Sequence, residues 1–286
     1  MNIYEETKFL MKKYQISANK NLGQNFLIEN SVIQTIVDSA NISKEDIVLE
    51  IGPGLGTLTK ELLQKAKKVI AIELDEKMIQ ILTDRFCFYD NFELMNQDVL
   101  KVDLKKIIEK EQAHENHVKI VANLPYYITT PIIMKLLEEK LPITSITVMV
   151  QKEVADRLTA IPGQKDTGAI TYCVYYYTEP SKVMIVPSSF FLPAPKVDSE
   201  VIHLKIRKKP PVVLKSEEMF FRIIKASFLQ RRKTLANGLT NGGICSKNEA
   251  KQILEKMNLN ENVRGENLTI EQFAQIANFL YEDKKI

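Results

Sequence analysis

The strongest constraint on the fold of this chain is a regular alternation of short apolar runs and helical patterns between residues 47 and 160. Between the runs, apolar residues recur at the three- and four-residue spacing of a helix. The predicted strands are Ile47–Ile51, Val69–Ile72, Phe92–Met95, Val118–Val121 and Thr144–Val150. This alternation predicts an α/β fold, a Rossmann-like, doubly wound and largely parallel sheet with one nucleotide-sized crevice at the carboxyl ends of its strands.

The rest of the chain predicts a second, smaller domain. Residues 1–28 lack a clear period and are expected to form an arm or loop, whereas Lys208–Pro211 is the predicted linker. The remaining predicted elements are helices at 29–40, 152–160, 168–177, 217–229, 247–257 and 270–281, and strands at 182–186 and 200–206 that could pair antiparallel. We therefore expect one domain at residues 1–211 and a small C-terminal all-α domain at residues 212–286.

The composition is that of an ordinary globular protein, with 45% hydrophobic and 26% charged residues in 286. No apolar run approaches the length that spans a bilayer, and the N-terminus does not resemble a signal peptide. Three widely spaced cysteines, Cys87, Cys173 and Cys245, predict neither a disulfide framework nor a zinc site and indicate a reducing compartment. With only three histidines in the chain, we expect no bound metal, and we expect a cytoplasmic protein.

The net charge of +3 is small but unevenly distributed. The block from Lys196 to Lys233 contains eleven Lys or Arg and four Asp or Glu, so it carries +7 while the rest of the chain carries −4. A basic block on a mildly acidic body indicates a polyanionic partner. Charge alone leaves open the alternative of an ordinary solvated surface.

Gly52, Gly54 and Gly56 follow the first predicted strand and favour a tight turn that lets a ligand approach the backbone. Their spacing departs from the dinucleotide pattern Gly-x-Gly-x-x-Gly because the third glycine comes one residue early. Glu73 ends the second strand, where it could accept hydrogen bonds from two ribose hydroxyls, and Asp98 could accept an adenine amine. Two carboxylates in one crevice suit a cofactor with net positive charge and no phosphate. Glu73 by itself does not separate a nicotinamide cofactor from S-adenosylmethionine.

The fourth predicted strand ends in the segment Asn123-Leu124-Pro125-Tyr126. Pro125 cannot donate to a sheet ladder and keeps Leu124 out of helical geometry, so we expect a rigid segment at the carboxyl end of the strand. The segment presents the amide oxygen of Asn123, the backbone carbonyl of Leu124 and the ring of Tyr126. Two acceptors and one ring match the exocyclic amine and the π-face of a planar base. Four-residue motifs also occur by chance, so an ordinary loop remains the alternative for this segment alone.

Taken together, these segments resemble the ribosomal RNA adenine dimethyltransferases, specifically the bacterial small-subunit type whose loss gives kasugamycin resistance. The matching segments, in order from about residue 17 to near the end, are residues 24–27, 50–56, 73–75, 98–100, 123–126, 151–155, 162–163, 191–199 and 231–235. The erythromycin-resistance methylases share the first half of them, and the later segments are more similar to the small-subunit type. Thr167 departs from the tyrosine that is usual in the family, which bears on a local loop contact.

The resemblance implies a class I methyltransferase that uses S-adenosylmethionine. The residues that it implies for the cofactor site are Asn25, Leu27, Gly52, Gly54, Glu73, Asp98 and Asn123. It places catalysis at Asn123, Leu124, Pro125 and Tyr126, and it implies that Phe191 stacks on the target adenine opposite Tyr126, since a base must leave its stack to reach the methyl donor. The cations expected to contact RNA are Lys208, Lys209, Arg231, Arg232 and Lys233.

We therefore expect transfer of methyl groups from S-adenosylmethionine to the N6 amines of two adjacent adenines in a 16S rRNA hairpin during ribosome biogenesis. The expected partner is small-subunit rRNA in an immature small subunit. The protein is expected to bind it as a monomer and without attachment to a membrane. Two enzymatic alternatives are a large-subunit adenine methylase of the macrolide-resistance type and a DNA adenine N6-methylase, because the motif does not separate RNA from DNA. A nicotinamide-dependent oxidoreductase would leave residues 123–126 and the basic block unexplained. A non-catalytic nucleic-acid-binding factor descended from such a methylase could have lost cofactor residues, which are all present here.

Overall fold

The computed structural model describes residues 2–19, 23–112, 117–164, 166–230 and 232–283, which fall into two compact units. The first lies within residues 1–155 and 180–206, and the second lies within residues 156–179 and 207–286. The helices are α1 (Ile3–Lys13), α2 (Asn30–Ser39), α3 (Thr57–Lys65), α4 (Glu76–Phe86), α5 (Leu104–Gln112), α6 (Thr129–Glu138), α7 (Lys152–Thr159), α8 (Ala169–Tyr177), α9 (Glu217–Phe228), α10 (Leu235–Asn241), α11 (Lys247–Lys256) and α12 (Ile270–Asp283). The strands are β1 (Phe26–Leu27), β2 (Asp46–Ile51), β3 (Lys68–Glu73), β4 (Phe92–Asn96), β5 (His117–Asn123), β6 (Ser145–Gln151), β7 (Thr178–Val186), β8 (Phe191–Leu192) and β9 (Ser199–Ile206).

The first unit is built on a sheet whose described strands lie in the order β4-β3-β2-β5-β6-β9-β7. The pairs from β4 to β6 are parallel, and β9 pairs antiparallel with β6. From β2 the chain proceeds outward to β3 and β4, and then returns to β5 on the other side of β2. The strand order therefore reverses between β2 and β5, which is where a doubly wound sheet has its crevice. The predicted doubly wound, largely parallel sheet is confirmed.

The central strands are buried on both faces, as expected for parallel strands covered by helices. Every residue of β2 is buried, and so is every residue of β6 except Gln151. β2 nevertheless contains two carboxylates. Asp46 forms an ion pair with Lys119 at 3.0 Å at the amino end of the strand, whereas Glu50 lies at the crevice end.

The N-terminal region contains a helix where the sequence analysis predicted an arm or loop. α1 begins with a capping box, in which the Asn2 side chain accepts from the Glu5 amide at 2.8 Å and the Glu5 carboxylate accepts from the Asn2 amide at 3.2 Å. Further along, β1 pairs antiparallel with β8, which buries Phe26 and Leu27. Both side chains are apolar, which favours this burial.

The second unit is helical around an aromatic core. Tyr172 of α8 is fully buried, stacks edge-on against Phe273 with ring centroids 4.8 Å apart, and donates its hydroxyl to the Leu268 carbonyl at 2.6 Å. The second unit therefore includes residues 156–179, which the predicted boundary at residue 211 placed in the first domain. Tertiary packing explains this assignment, because α8 packs against α9 in the same unit.

α10 was not predicted from the sequence, because Asn237 and Gly238 weaken its helical pattern. Gly238 allows close packing of this helix on α9, since a Cβ at this position would lie 3.1 Å from the Cα of Ser227.

Thr167, the departure from the family pattern, is buried and donates its hydroxyl to the Gln164 carbonyl at 2.6 Å. The side chain of Thr167 thus stabilises the turn between residues 164 and 167 by a hydrogen bond to its backbone.

Candidate functional site

A cleft of about 1130 Å³, including space open to solvent, lies in the first unit at the carboxyl ends of β2, β3 and β5. The residues that line it come from the stretches 23–27, 50–55, 57–58, 72–74, 97–99 and 123–128, together with Ile33, Ile36 and Ile132. All seven residues predicted for the cofactor site and all four of the predicted catalytic segment 123–126 are among them. The fold thus brings together side chains that are up to about 100 positions apart in the sequence.

The glycine turn after β2 is shaped by two different needs. Gly54 has φ +56°, a conformation that favours glycine, and its amide donates to Oε2 of Glu73 at 3.1 Å. Gly56 meets a steric requirement, since a Cβ there would lie 2.6 Å from Cε2 of Phe86. Gly56, which comes one residue early relative to the dinucleotide pattern, therefore allows α3 to pack against α4. The backbone around Gly54 faces the cleft.

Glu73 is held rigidly at the end of β3. Its Oε1 accepts from the amides of Leu74 at 2.8 Å and Asp75 at 2.9 Å, in addition to the Gly54 bond to Oε2. The side chain is buried, and this burial raises its pKa above the ordinary range while the three amide bonds act in the opposite direction. A carboxylate fixed in this way still has about one of its roughly four lone-pair sites to offer to the hydroxyls of a ligand.

The other predicted cofactor residues lie around the same cleft. Asp98 accepts from the Leu100 amide at 3.0 Å and lies 3.7 Å from the ammonium of Lys101. Asn25 donates to the Gly23 carbonyl at 3.0 Å, and Leu27 is buried in β1. Asn25 and Leu27 reach the cleft through the tertiary pairing of β1 with β8, which periodicity does not reveal.

Glu50 is a site residue that the sequence analysis did not single out. It lines the cleft, its side chain is 1% exposed, and its Oε2 has no hydrogen-bond partner among the described residues. Burial, with a contribution from the charge of Glu73, raises its pKa to about 8. The signal was present in the sequence, because a carboxylate inside an otherwise apolar strand is costly unless it has a partner or a function.

The segment 123–126 lies at the carboxyl end of β5. Asn123 is the last residue of β5 and pairs with Met149, and the Leu124 amide donates to the Met149 carbonyl at 3.1 Å. No described residue donates to the Leu124 carbonyl or bonds the side-chain amide of Asn123. Pro125 closes the segment, since its carbonyl accepts from the hydroxyl of Thr129 in α6 at 3.0 Å. Two acceptors thus lie at the cleft without a donor among the described residues.

Tyr126 is fixed through its hydroxyl, which lies 2.5 Å from Oγ of Ser199 in β9. Burial raises the pKa of Tyr126, so the phenol remains neutral at physiological pH. Its ring therefore lines the cleft as a positioned, uncharged aromatic surface.

Phe191, predicted to stack opposite Tyr126, is not among the described residues that line the cleft. It is 3% exposed, it pairs with Leu27 between β8 and β1, and it belongs to the main apolar core of the first unit. Stacking of Phe191 on a base stays a prediction, and it requires the ring to become exposed.

The predicted RNA-contacting cations belong to the second unit. Lys208, Lys209, Arg232 and Lys233 are exposed, and none of them forms an ion pair with a described residue. Arg231 lies outside the described residues. Within the described part of the chain, no helix has the length and apolar character needed to cross a membrane.

The chain is similar to known proteins over almost its whole length. The family described as ribosomal RNA adenine dimethylase matches residues 15–282 of the chain. A protein of Bacillus pumilus named ribosomal RNA small subunit methyltransferase A is 50% identical over 277 residues, covering 96% of this chain and 95% of its own. A protein of the same name from Alkaliphilus oremlandii is 48% identical over 277 residues, covering 96% of both chains.

Two solved structures are also similar to this chain, at lower sequence identity. A dimethyladenosine transferase from Plasmodium falciparum is similar with a TM-score of 0.75 and 28% identity, covering 91% of this chain and 98% of its own. The 23S rRNA methyltransferase ErmE is similar with a TM-score of 0.68, covering 90% of this chain and 100% of its own. At 24% identity, this second likeness shows a shared fold.

Proposed function

Because the chain belongs to the ribosomal RNA adenine dimethylase family, we propose that it transfers methyl groups from S-adenosylmethionine to the N6 amines of two adjacent adenines in a hairpin of small-subunit 16S rRNA. The observation that carries the proposal is the pair of acceptors after β5. The Asn123 amide and the Leu124 carbonyl have no donor among the described residues, and they lie beside Tyr126 in the same cleft as Glu73 and Asp98.

The donor set of the cleft fits S-adenosylmethionine. Glu73 provides buried acceptor capacity for ribose hydroxyls, and Asp98 provides it for an adenine amine. The buried Oε2 of Glu50, which has no hydrogen-bond partner among the described residues, suits a cationic ligand, since a positive charge compensates an ionised carboxylate in a site of low dielectric. Gly54 keeps the backbone of the turn open to close approach. When bound, this cofactor supplies a methyl group on a positively charged sulfur.

The residues after β5 activate the target amine by positioning it. The lone pair of the adenine N6 is delocalised into the ring, which makes the amine a weak nucleophile. Asn123 and Leu124 each accept one N–H, which draws the nitrogen toward tetrahedral geometry and makes its lone pair available. Tyr126 stacks on the extruded base and holds the nitrogen in line with the methyl group, so orientation supplies a large part of the acceleration. No strong base is needed, because the nitrogen becomes acidic only once it is methylated and then loses its proton to water.

The second transfer places a different demand on the same acceptors. The monomethylated amine keeps one N–H, so one of the two acceptors has to tolerate the new methyl group. The neutral amide of Asn123 and the backbone carbonyl of Leu124 carry no formal charge, and loss of one hydrogen bond at such a group costs about 1–3 kcal/mol, which leaves the reaction possible.

Substrate recognition is assigned to the second unit. Lys208, Lys209, Arg231, Arg232 and Lys233 dock on phosphates of an immature small ribosomal subunit, and the protein acts there as a monomer in the cytoplasm. The relatives at 48–50% identity carry small-subunit names, which favours this substrate over large-subunit RNA. DNA is disfavoured for the same reason.

A direct test of this function compares four substrates. The protein is incubated with methyl-labelled S-adenosylmethionine and either naked small-subunit rRNA, immature small subunits, large-subunit rRNA or adenine-containing DNA. Nucleosides are then analysed by mass spectrometry. We expect N6,N6-dimethyladenosine at two adjacent positions in the immature subunits. Label appearing only in large-subunit rRNA or only in DNA would contradict the proposal.

A further inference from the structure

Tyr127 directly follows the catalytic segment, and the function described above assigns it no role. It lines the cleft, yet it is 53% exposed, which is unusual for a tyrosine beside a buried strand end. No described residue forms a hydrogen bond with its hydroxyl. Tyr127 therefore borders the cleft with about half of its surface exposed and its hydroxyl available.

The ring of Tyr127 packs against the loop that crosses the cleft. Gly23 has φ +61°, and a Cβ added to it would lie 3.3 Å from Cδ1 of Tyr127. On the other side of the same loop, Nε2 of Gln24 donates to Oδ2 of Asp75 at 2.8 Å, just after β3. Residues 23–25 are thus attached near the end of β3 by Gln24 and lie against Tyr127 near the end of β5.

Tyr127, Glu73 and Asp98 all line this cleft. Burial raises the pKa of Tyr127, and the negative charges of Asp98 and Glu73 raise it further. Asp98 and Glu73 are the two residues predicted to hold the adenine amine and the ribose. Tyr127 therefore shares the cleft with both carboxylates, whose negative charges act on its phenol.

We propose that Tyr127 is a cofactor-binding residue, whose ring covers the adenosine end of S-adenosylmethionine between Glu73 and Asp98 and, together with the loop at Gly23, excludes water from it. This inference rests on the proposed function, because it assumes that this cofactor occupies the cleft. An aromatic ring over a base contributes through stacking, which costs about 1–3 kcal/mol when the ring is removed. The competing possibility is that the exposed face of Tyr127 contacts the RNA.

The absence of tryptophan from the sequence makes a direct probe available. Tyr127→Trp creates a protein with a single tryptophan at the cleft. Phe88→Trp is the matched control, because Phe88 is 93% exposed and is not among the described lining residues. Titration with S-adenosylhomocysteine or S-adenosylmethionine should shift or quench the emission of the first variant in a saturable way and leave the second unchanged. Equal responses, or none in either variant while calorimetry shows binding, would overturn the proposal.

Truncation variants separate cofactor from RNA contacts. Calorimetry should show a Kd for S-adenosylmethionine about tenfold to a hundredfold higher in Tyr127→Ala, within about threefold of wild type in Tyr127→Phe, and unchanged in Phe88→Ala. The Tyr127→Trp titration keeps the proposal testable even if the alanine variant folds poorly. An unchanged cofactor Kd in Tyr127→Ala, with weaker RNA binding, would assign the ring to the RNA and overturn the inference. If the wild-type protein itself fails to bind S-adenosylmethionine, the proposed function fails as well, which is a different result.

Discussion

The two units of this protein differ in how their functional charges are exposed: carboxylates are buried in the cleft of the first unit, whereas cations are exposed on the second. In the cleft of the first unit, Glu50 and Glu73 are buried, and Glu73 accepts three backbone amides within 3.1 Å. In the second unit, Arg232 and Lys233 are exposed, and no ion pair links them to a described residue. α9 adds two more exposed cations without a described ion-pair partner, Arg222 and Lys225.

This difference indicates two kinds of recognition. A buried, hydrogen-bonded carboxylate acts through exact geometry, so a single substitution should have a large effect that depends little on salt. Exposed cations act through the sum of many screened contacts, so each should contribute little and the contributions should vanish at high salt. The cleft therefore suits a small molecule and a chemical step, and the cationic surface suits docking on a polyanion.

The largest effect is expected at the acceptor pair. Asn123→Ala should lower the single-turnover rate of methyl transfer by about a hundredfold or more, since it removes an acceptor of the target amine. Its affinity for S-adenosylmethionine should stay within about tenfold of wild type. Asn123→Asp keeps an oxygen acceptor and should retain more activity than the alanine variant. A rate close to wild type in Asn123→Ala would show that the amine is not activated there.

Glu73→Ala tests the cofactor side of the cleft. It should weaken S-adenosylmethionine binding by about 1–3 kcal/mol, because ligand hydroxyls and three backbone amides lose their acceptor. The matched control is Glu76→Ala, three positions further on, which removes an exposed carboxylate from the first turn of α4. Calorimetry on both variants, with circular dichroism to confirm folding, decides the matter. Equal affinities would remove Glu73 from the site.

Glu50 lines the cleft, and its titration is expected to make the stability of the folded protein depend on pH. Its pKa is raised from 4.5 to about 8 in the folded protein, so between these values the folded state holds a proton that the unfolded state has lost. The stability associated with this proton is complete below about pH 4.5 and is lost as the pH rises through 8, by at most about 1.4 kcal/mol per pH unit.

Urea unfolding of the cofactor-free protein at pH 6, 7, 8 and 9 measures this effect. The free energy of unfolding of the wild type should fall by about 1–3 kcal/mol more than that of Glu50→Gln over this range. Parallel pH profiles would mean that Glu50 is ionised throughout and has found a compensating partner.

The cationic surface should give the smallest effect per residue. Neutralising Arg231, Arg232 and Lys233 together should flatten the slope of log affinity for RNA against log salt by roughly two to three units, about one per lost phosphate contact. Neutralising Lys105, Lys106 and Lys110 on α5 makes the same change in net charge away from the basic block and serves as the control. Equal slopes in the two variants would show that only net charge matters.

The parts of this structure that follow from local pattern were predictable. The alternating runs predicted the sheet and the crevice, and Pro125 predicted a rigid segment after β5 because its ring restricts the backbone whatever surrounds it. α1 could also have been found, since Asn2 and Glu5 have the spacing of a capping box. Glu50 was visible as a carboxylate within an apolar strand.

The parts that depend on tertiary packing were not predictable from pattern. Phe191 is buried because β8 pairs with β1, about 165 positions away, and no local signal encodes that pairing. α8 joins the second unit because Tyr172 packs against Phe273, although its sequence position suggests the first domain. The position of Tyr127 over the cleft likewise depends on its contact with Gly23.

The division between chemistry in the cleft and docking on the cationic surface is tested most directly by single-turnover methylation at increasing RNA concentration. Immature small subunits are the substrate, S-adenosylmethionine is saturating, and the Asn123→Ala and Arg231/Arg232/Lys233 triple-alanine variants are compared with wild type. The account predicts that the triple variant reaches the wild-type rate once RNA is saturating, whereas Asn123→Ala remains about a hundredfold slower at every concentration. A triple variant that stays slow at saturation, or an Asn123→Ala protein that recovers the wild-type rate, would contradict it.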